Sequence, residues 1–332
     1  MKDTLKNKCE LFIENRDTFK KAFPWEHDGL HAISASAFVD KNTVADVESL
    51  KRVKELIKSR LNAFSSFRGS FELPLISILA ACDDPEKRLD SSIELYRELK
   101  EHFFTSEFLP MAAVMLAGEI ERERYGEVAG RAKRIYEMMK ADHPFLTSSE
   151  DSVYAAIFAL SEKSDSAILD EAESCYSALK EKFYDRNALQ SLSHVLALAD
   201  GEAGSVSEKC RDTIRLFDML KDRRSKYGTG YELSTLGSLA TLPGSLEETA
   251  DDLVEVSEFL KTQKGYGIFG FDRRQRLMHA AMIVTSDRVG GSDANTFAAM
   301  NGTVSQIAAQ QAALCATLMM SIVAVNVASA AR

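Results

Sequence analysis

His27 and His31 stand four residues apart in the stretch "FPWEHDGLHA", beside Glu26, Asp28 and the chain's one tryptophan, Trp25. On a continuous helix that spacing would place both imidazoles on one face, where neutral ring nitrogens bind zinc. Asp28 followed by Gly29, however, reads as a helix start with Asp28 as the N-cap, which leaves His27 outside the helix. The pair is therefore a weak metal candidate. His194 lies within the apolar "LSHVLALA", where a histidine either completes a site or is satisfied inside the core. Glu150 and Glu232 are the carboxylates that acid–base chemistry with these histidines would use. The run "FDRRQR" offers Arg273, Arg274 and Arg276 near a helix N-terminus, a pattern suited to phosphate or carboxylate. The glycines of "KYGTGYE" and "KGYGIFG" follow no strand and match no phosphate-loop pattern; they read as helix C-caps after Lys221 and Lys261. No nucleophile elbow, Ser-His-Asp pattern or kinase motif is present, and no cofactor is implied.

These residues are positioned by a periodic chain. The runs "IELYRELK", "KRIYEMMK", "ESCYSALK", "IRLFDMLK" and "EVSEFLK" end at Lys100, Lys140, Lys180, Lys221 and Lys261, at steps of 40, 40, 41 and 40 residues. Earlier copies end at Lys58 and near Lys20. Between them lie shorter, almost wholly apolar segments such as "LPLISILAAC", "LPMAAVMLAG" and "SVYAAIFALS". Each period thus predicts two helices, a buried first one and an amphipathic second one, the latter with Leu89, Ile93, Tyr96, Leu99 and Phe103 on its inner face. The fold expected is all-α: about seven stacked helical hairpins with a period of about 40 residues, as an α-solenoid or an α/α toroid, in one domain over residues 1–332.

A hairpin array has two edges. Connections from first to second helix, such as "CDDPEK" with Pro85 at a first helical position, read as solvated turns. Connections from second helix to the next first helix carry aromatics, amides and charges of both signs. They would bring Trp25, His27, His31, Arg68, Glu107, Glu150, Asp151, Asn187, Gln190, His194, Tyr231, Glu232, Arg273 and Arg274 to one rim. Several of these have a plain structural use: Thr147 with Glu150 and Ser148 with Asp151 are capping-box spacings, and Asp185 is a natural N-cap.

The net charge of −9 excludes a sequence-independent nucleic-acid binder, which needs clustered Lys and Arg. Five cysteines far apart, without a C-x-x-C pair, fit a reducing cytoplasm, and the N-terminus has no signal-peptide core. From Ala294 to Ala331 there is no charge, and Thr303, Gln306, Gln310, Thr317 and Ser321 form a polar stripe about 60° wide. This Ala-rich helix, residues 294–332, is read first as buried, second as self-associating into a homo-oligomer, third as a membrane anchor.

"PWEHDGLHA", "HPFLTSSEDSV", "QSLSHVLAL", "KYGTGYEL", "RLMHAAM" and "QQAALCA" together resemble a bacterial family known as domain of unknown function number four thousand and three. The resemblance implies a bacterial cytoplasmic setting and transfers no mechanism. Two functional readings follow: a binding scaffold whose ligand or protein partner docks on the loop rim through residues such as Trp25, Arg68, Asp151, Asn187, Gln190, Tyr231, Arg273 and Arg274, or an α/α-toroid enzyme, for instance a metal-dependent hydrolase or lyase, with a cleft lined by His27, His31, His194, Glu150 and Glu232.

Overall fold

Leu, Ala, Glu and Lys at three- and four-residue apolar spacing leave little but helix to form, and among the described residues there are fourteen α-helices and no strand. The structure is a computed structural model and describes residues 1–199, 204–230, 232–242, 244–267 and 270–290. The expected helix 294–332 and Tyr231 lie outside these residues. Long amphipathic helices alternate with short apolar ones: α1 (Asp3–Ala22), α2 (Asp28–Asp40), α3 (Val47–Arg60), α4 (Glu72–Ala80), α5 (Pro85–His102), α6 (Phe108–Leu116), α7 (Tyr125–Asp142), α8 (Asp151–Phe158), α9 (Asp165–Leu179), α10 (Arg186–Leu198), α11 (Val206–Asp222), α12 (Leu233–Ala240), α13 (Leu246–Lys261) and α14 (Arg273–Gly290).

The short helices cannot stand alone. At eight or nine residues, α4, α6, α8 and α12 fall below the length at which isolated helices persist in water, so burial holds them. Every residue of α8 and α12 is buried. The long helices bury one stripe each: α5 buries Leu89, Ile93, Leu95 and Leu99 and exposes Arg97, Glu98 and Lys100. Tyr96 is half-buried and meets the ring of Phe67 edge-on at 5.2 Å. Lys100, Lys140, Lys221 and Lys261 each fall in the last turn of a long helix, where a cation complements the helix dipole. Side-chain caps fix the starts: Asp84 accepts from the Lys87 amide at 3.0 Å with Pro85 at the first helical position, and Ser205 and Glu208 close a capping box.

The residues divide into two compact units, one built from Met1–Ile13 and the described part of Ser166–Ser321, the other from Glu14–Asp165. In the Glu14–Asp165 unit α2, α4, α6 and α8 pack successively, and so do α3, α5 and α7. One antiparallel long helix separates each short helix from the next, so the short helices run in one direction and their N-termini share an edge. In the other unit α10, α12 and α14 pack in succession, and α11 lies on α13. There the N-terminal segment joins the C-terminal helices: the Met1 amino group pairs with Glu255 at 2.6 Å, Lys8 Nζ donates to Ser286 Oγ at 3.2 Å, and Phe12 meets His279 at 5.9 Å.

Carbonyls at or just past the ends of short helices lack helical partners, and long helices supply partly or fully buried cations to them. Arg88 of α5 donates to Val114 O and Met115 O, both at 3.0 Å, at the end of α6. Arg131 of α7 does the same past the end of α8, to Ser161 O at 2.7 Å and Ala159 O at 3.2 Å. Lys209 of α11 donates to Leu196 O at 2.7 Å and Ala199 O at 2.9 Å at the end of α10, while pairing with Glu171. These turns are therefore more than solvated loops.

Helix α12 rests closely on α10 because Gly237 has no side chain; a Cβ there would lie 2.4 Å from Leu192 Cδ1. Gly237→Val is expected to cost about 2 kcal/mol, read as a lower urea midpoint with unchanged slope. Two of the scattered cysteines, Cys175 of α9 and Cys210 of α11, come into hydrogen-bonding contact, and this contact with burial pushes the Cys175 thiol up. Sequence spacing alone could not show that pairing.

Candidate functional site

In the Glu14–Asp165 unit the shared edge is made by the four connections that lead into α2, α4, α6 and α8. The first opens with Phe23, buried, whose carbonyl receives the His31 Nε2 hydrogen at 2.9 Å. His31 is itself buried, with Nδ1 3.4 Å from Asp28 Oδ1. His27, not Asp28, is the N-cap of α2: its extended backbone lets Nδ1 accept from the Gly29 amide at 3.0 Å. Asp28 becomes the first helical residue and pairs with Lys20 at 2.7 Å. Burial pushes the Asp28 carboxyl up, but the hydrogen bond and charge of Lys20, with His31, more than offset this and hold it below its ordinary value. The two imidazoles thus have separate structural tasks and do not face a common point. Among the described residues no three of His, Cys, Asp and Glu group as metal ligands.

Arg68 ends a 3-10 turn, Ser66–Arg68, and its Nε lies 3.9 Å from Glu72 Oε1. The other Glu72 oxygen is 3.4 Å from Lys54, whose ammonium also covers the Phe23 ring at 5.2 Å. Glu107 is the exposed N-cap of α6. Glu150 holds the N-cap of α8, and Asp151 follows, buried, accepting from the Ser148 amide at 2.8 Å. That bond is one half of the expected Ser148–Asp151 capping box. The Thr147 hydroxyl instead donates back to Met139 O at 3.1 Å. Burial raises both carboxyls, Asp151 to about 7, although the Ser148 amide pulls that one back. Acidic groups at these four helix starts are what the positive helix end stabilises.

One feature of this edge was not singled out from the sequence beyond Trp25. Each connection holds out one aromatic ring: Trp25 is 97% exposed, Phe64 99%, Phe104 96% and Phe145 99%. They follow one another at 39, 40 and 41 residues, the period of the chain itself, which was the available signal. The neighbouring rings are buried and anchor the turns: Phe23, Phe67 and Phe103. Phe103 stacks edge-on against Tyr136 at 5.4 Å while Phe104 next to it faces water.

The other unit places its candidates differently. Asp185 caps α10 through the Ala188 amide at 3.1 Å, and Tyr184 before it is 85% exposed. Asn187 is exposed, whereas Gln190 and His194 are buried along α10. Glu232, the N-cap of α12, is buried; a Cβ on Gly228 would fall 1.1 Å from its Oε1. Burial raises its carboxyl, and the charge of Arg274 offsets part of this. Gly228 therefore makes room for a carboxylate and is not the expected C-cap after Lys221; the left-handed residue there is Arg224. Gly265 does adopt positive φ after α13, whose C-cap is Thr262. Arg273 and Arg274 are exposed in the first turn of α14. Arg276, by contrast, donates to Ser257 Oγ at 3.2 Å, so it holds α14 to α13. Tyr266 and His279 form a buried hydrogen bond of 2.8 Å.

Among the described residues no helix is long and apolar enough to cross a membrane. The "Uncharacterized protein YeaA" of Bacillus subtilis (strain 168) is 26% identical over 204 residues, 58% of this chain and 61% of that protein, so the match spans less than two thirds of the relative's length. No solved structure matches the chain. A family described as "Protein of unknown function (DUF4003)" matches residues 15–312, a span that holds both sets of connections and every candidate residue from Trp25 to Arg274, and the chain belongs to that family.

Proposed function

We propose that the chain is a helical-repeat scaffold that docks a partner through the edge leading into its short helices. The observation that carries this reading is the set of four nearly bare rings on the four equivalent connections of the Glu14–Asp165 unit. Soluble chains expose single apolar residues freely, but large rings at the structural period, each held out by an anchored turn, form a contact surface. Both α-solenoids and α/α toroids present such an edge, so the reading serves either architecture. Arg68 sits beside this surface; Arg273 and Arg274 belong to the corresponding connection of the other unit.

A photo-reactive phenylalanine analogue at position 64 or 145 is expected to cross-link to a cellular partner, whereas the same probe at Asp83 or Glu121, on the opposite connections, is not. Equal labelling from both edges, or none from either, counts against the scaffold.

Asp151 favours a second, catalytic reading, in which a carboxyl poised near neutrality carries a proton. Its test is a substrate screen with Asp151→Asn as the matched control. Turnover lost only in the variant supports it; turnover unaffected by the substitution removes Asp151 from the chemistry.

A further inference from the structure

We propose that the edge bearing Trp25, Phe64, Phe104 and Phe145 docks on the surface of a phospholipid bilayer. The proposal rests on the docking-edge reading above and names the partner. Three observations select a bilayer. The first is how completely the rings stand out. At 96–99% exposure both faces and the rim of each ring are free. A sugar or a flat protein surface covers one face of such a ring, whereas the boundary between headgroups and acyl chains surrounds it, which is where Trp, Tyr and Phe gather.

The second is their arrangement. Because α2, α4, α6 and α8 pack in succession with their starts on one edge, the rings project from neighbouring hairpins, about 10 Å apart at ordinary helix spacing. A series of shallow insertions at that spacing suits a fluid surface, which needs no matching pocket for any one of them. The turns that hold the rings are tied down from behind, by His31 on the Phe23 carbonyl in the first and by buried Phe67 against Tyr96 at 5.2 Å in the second.

The third is charge. The helices leading into these connections end in exposed lysines: Lys20 and Lys21 in α1, Lys58 in α3, Lys100 in α5 and Lys140 in α7. Lysines beside inserted rings meet anionic headgroups. Exposed Asp28, Glu101, Glu107 and Asp142 share the surface, and Lys20 and Lys58 pair with Asp28 and Glu55, so the rings supply most of the attraction and Lys21, Lys100 and Lys140 orient it.

Trp25 is the chain's single tryptophan, so its fluorescence reports on this edge without a label. Full-length protein mixed with vesicles of equal phosphatidylglycerol and phosphatidylcholine is expected to show a blue-shifted Trp25 emission, quenched by brominated acyl chains. The triple variant Phe64→Ser, Phe104→Ser, Phe145→Ser keeps the reporter and is expected to partition about a hundredfold less, at unchanged thermal stability, because these rings are bare in the folded chain. Emission unchanged by vesicles overturns the proposal. So does sedimentation with vesicles without a Trp25 shift, which would place the contact elsewhere. A shift that depends on protein concentration in the absence of lipid overturns it in favour of a second copy. Protein cross-links from positions 64 and 145 with no vesicle response overturn the bilayer while leaving the docking edge standing.

Discussion

Arg131→Met is expected to lower the stability of the Glu14–Asp165 unit by about 3 kcal/mol, read as a fall of roughly 5–10 °C in thermal midpoint. The side chain is only 20% exposed, and its guanidinium meets Asp165 Oδ1 at 2.8 Å, Ser161 O at 2.7 Å, Ala159 O at 3.2 Å and the Lys163 carbonyl. Methionine keeps the length and apolar stem of arginine and removes every donor. What remains is a connection after α8 whose carbonyls at Ala159, Ser161 and Lys163 have lost their cation, beside a carboxylate that has lost its closest partner. The loss is that of stranded acceptors, and it exceeds the net worth of the bonds themselves. Arg131→Lys should recover only part of it, because one ammonium cannot span acceptors that the planar fork reaches together. If urea unfolding shows Arg131→Met within 0.5 kcal/mol (about the spread of ordinary surface substitutions), the cation is not what ends α8.

Asp151 carries the second large effect. Burial first, with the nearby charge of Glu150, raises its carboxyl from 3.8 to about 7, against the pull of the Ser148 amide. Between those two values the folded chain keeps a proton that the unfolded chain releases. Stability is therefore full below about pH 4 and falls as pH rises towards 7, by about 4 kcal/mol for a three-unit difference. Asp151→Asn fixes the neutral form. It should match wild type at pH 4 and exceed it by about that amount at pH 8.5, with a residual slope from Glu150 and Glu232, whose carboxyls burial also raises. Urea titrations at pH 4, 6 and 8.5 check this. Parallel profiles for the two chains would mean that Asp151 is ionised without cost and has a partner strong enough to compensate burial.

How far the sequence carried depends on the distance over which each feature is decided. Pro85 at a helix start, Asp185 as a cap and the lysines in the last turns of the long helices are local matters, settled within one turn, and all were readable. His27 and Asp28 show the limit of that method. Either side chain can accept from the first amides, and the choice fell on His27 because its backbone is extended, a torsion that composition does not reveal. Gly228 reads as a helix C-cap, yet it makes room for the Glu232 carboxylate, and Gly237, inside an apolar helical segment, makes room for Leu192.

Period, alternation of apolar and amphipathic segments and helix limits were determined by the sequence itself, since they follow from hydrophobic spacing and caps acting over a few residues. Tertiary packing alone decided which groups are spent inside and which face water. Phe103 and Phe104 are adjacent and chemically identical, yet one lies against Tyr136 and the other is bare. Arg88, Arg131 and Lys209 look like surface charges until they are found on carbonyls at or just past the end of a different helix. Exposure and partnership are properties of neighbours brought together by packing, and for that reason the row of rings that carries the proposed function became visible only in the folded chain.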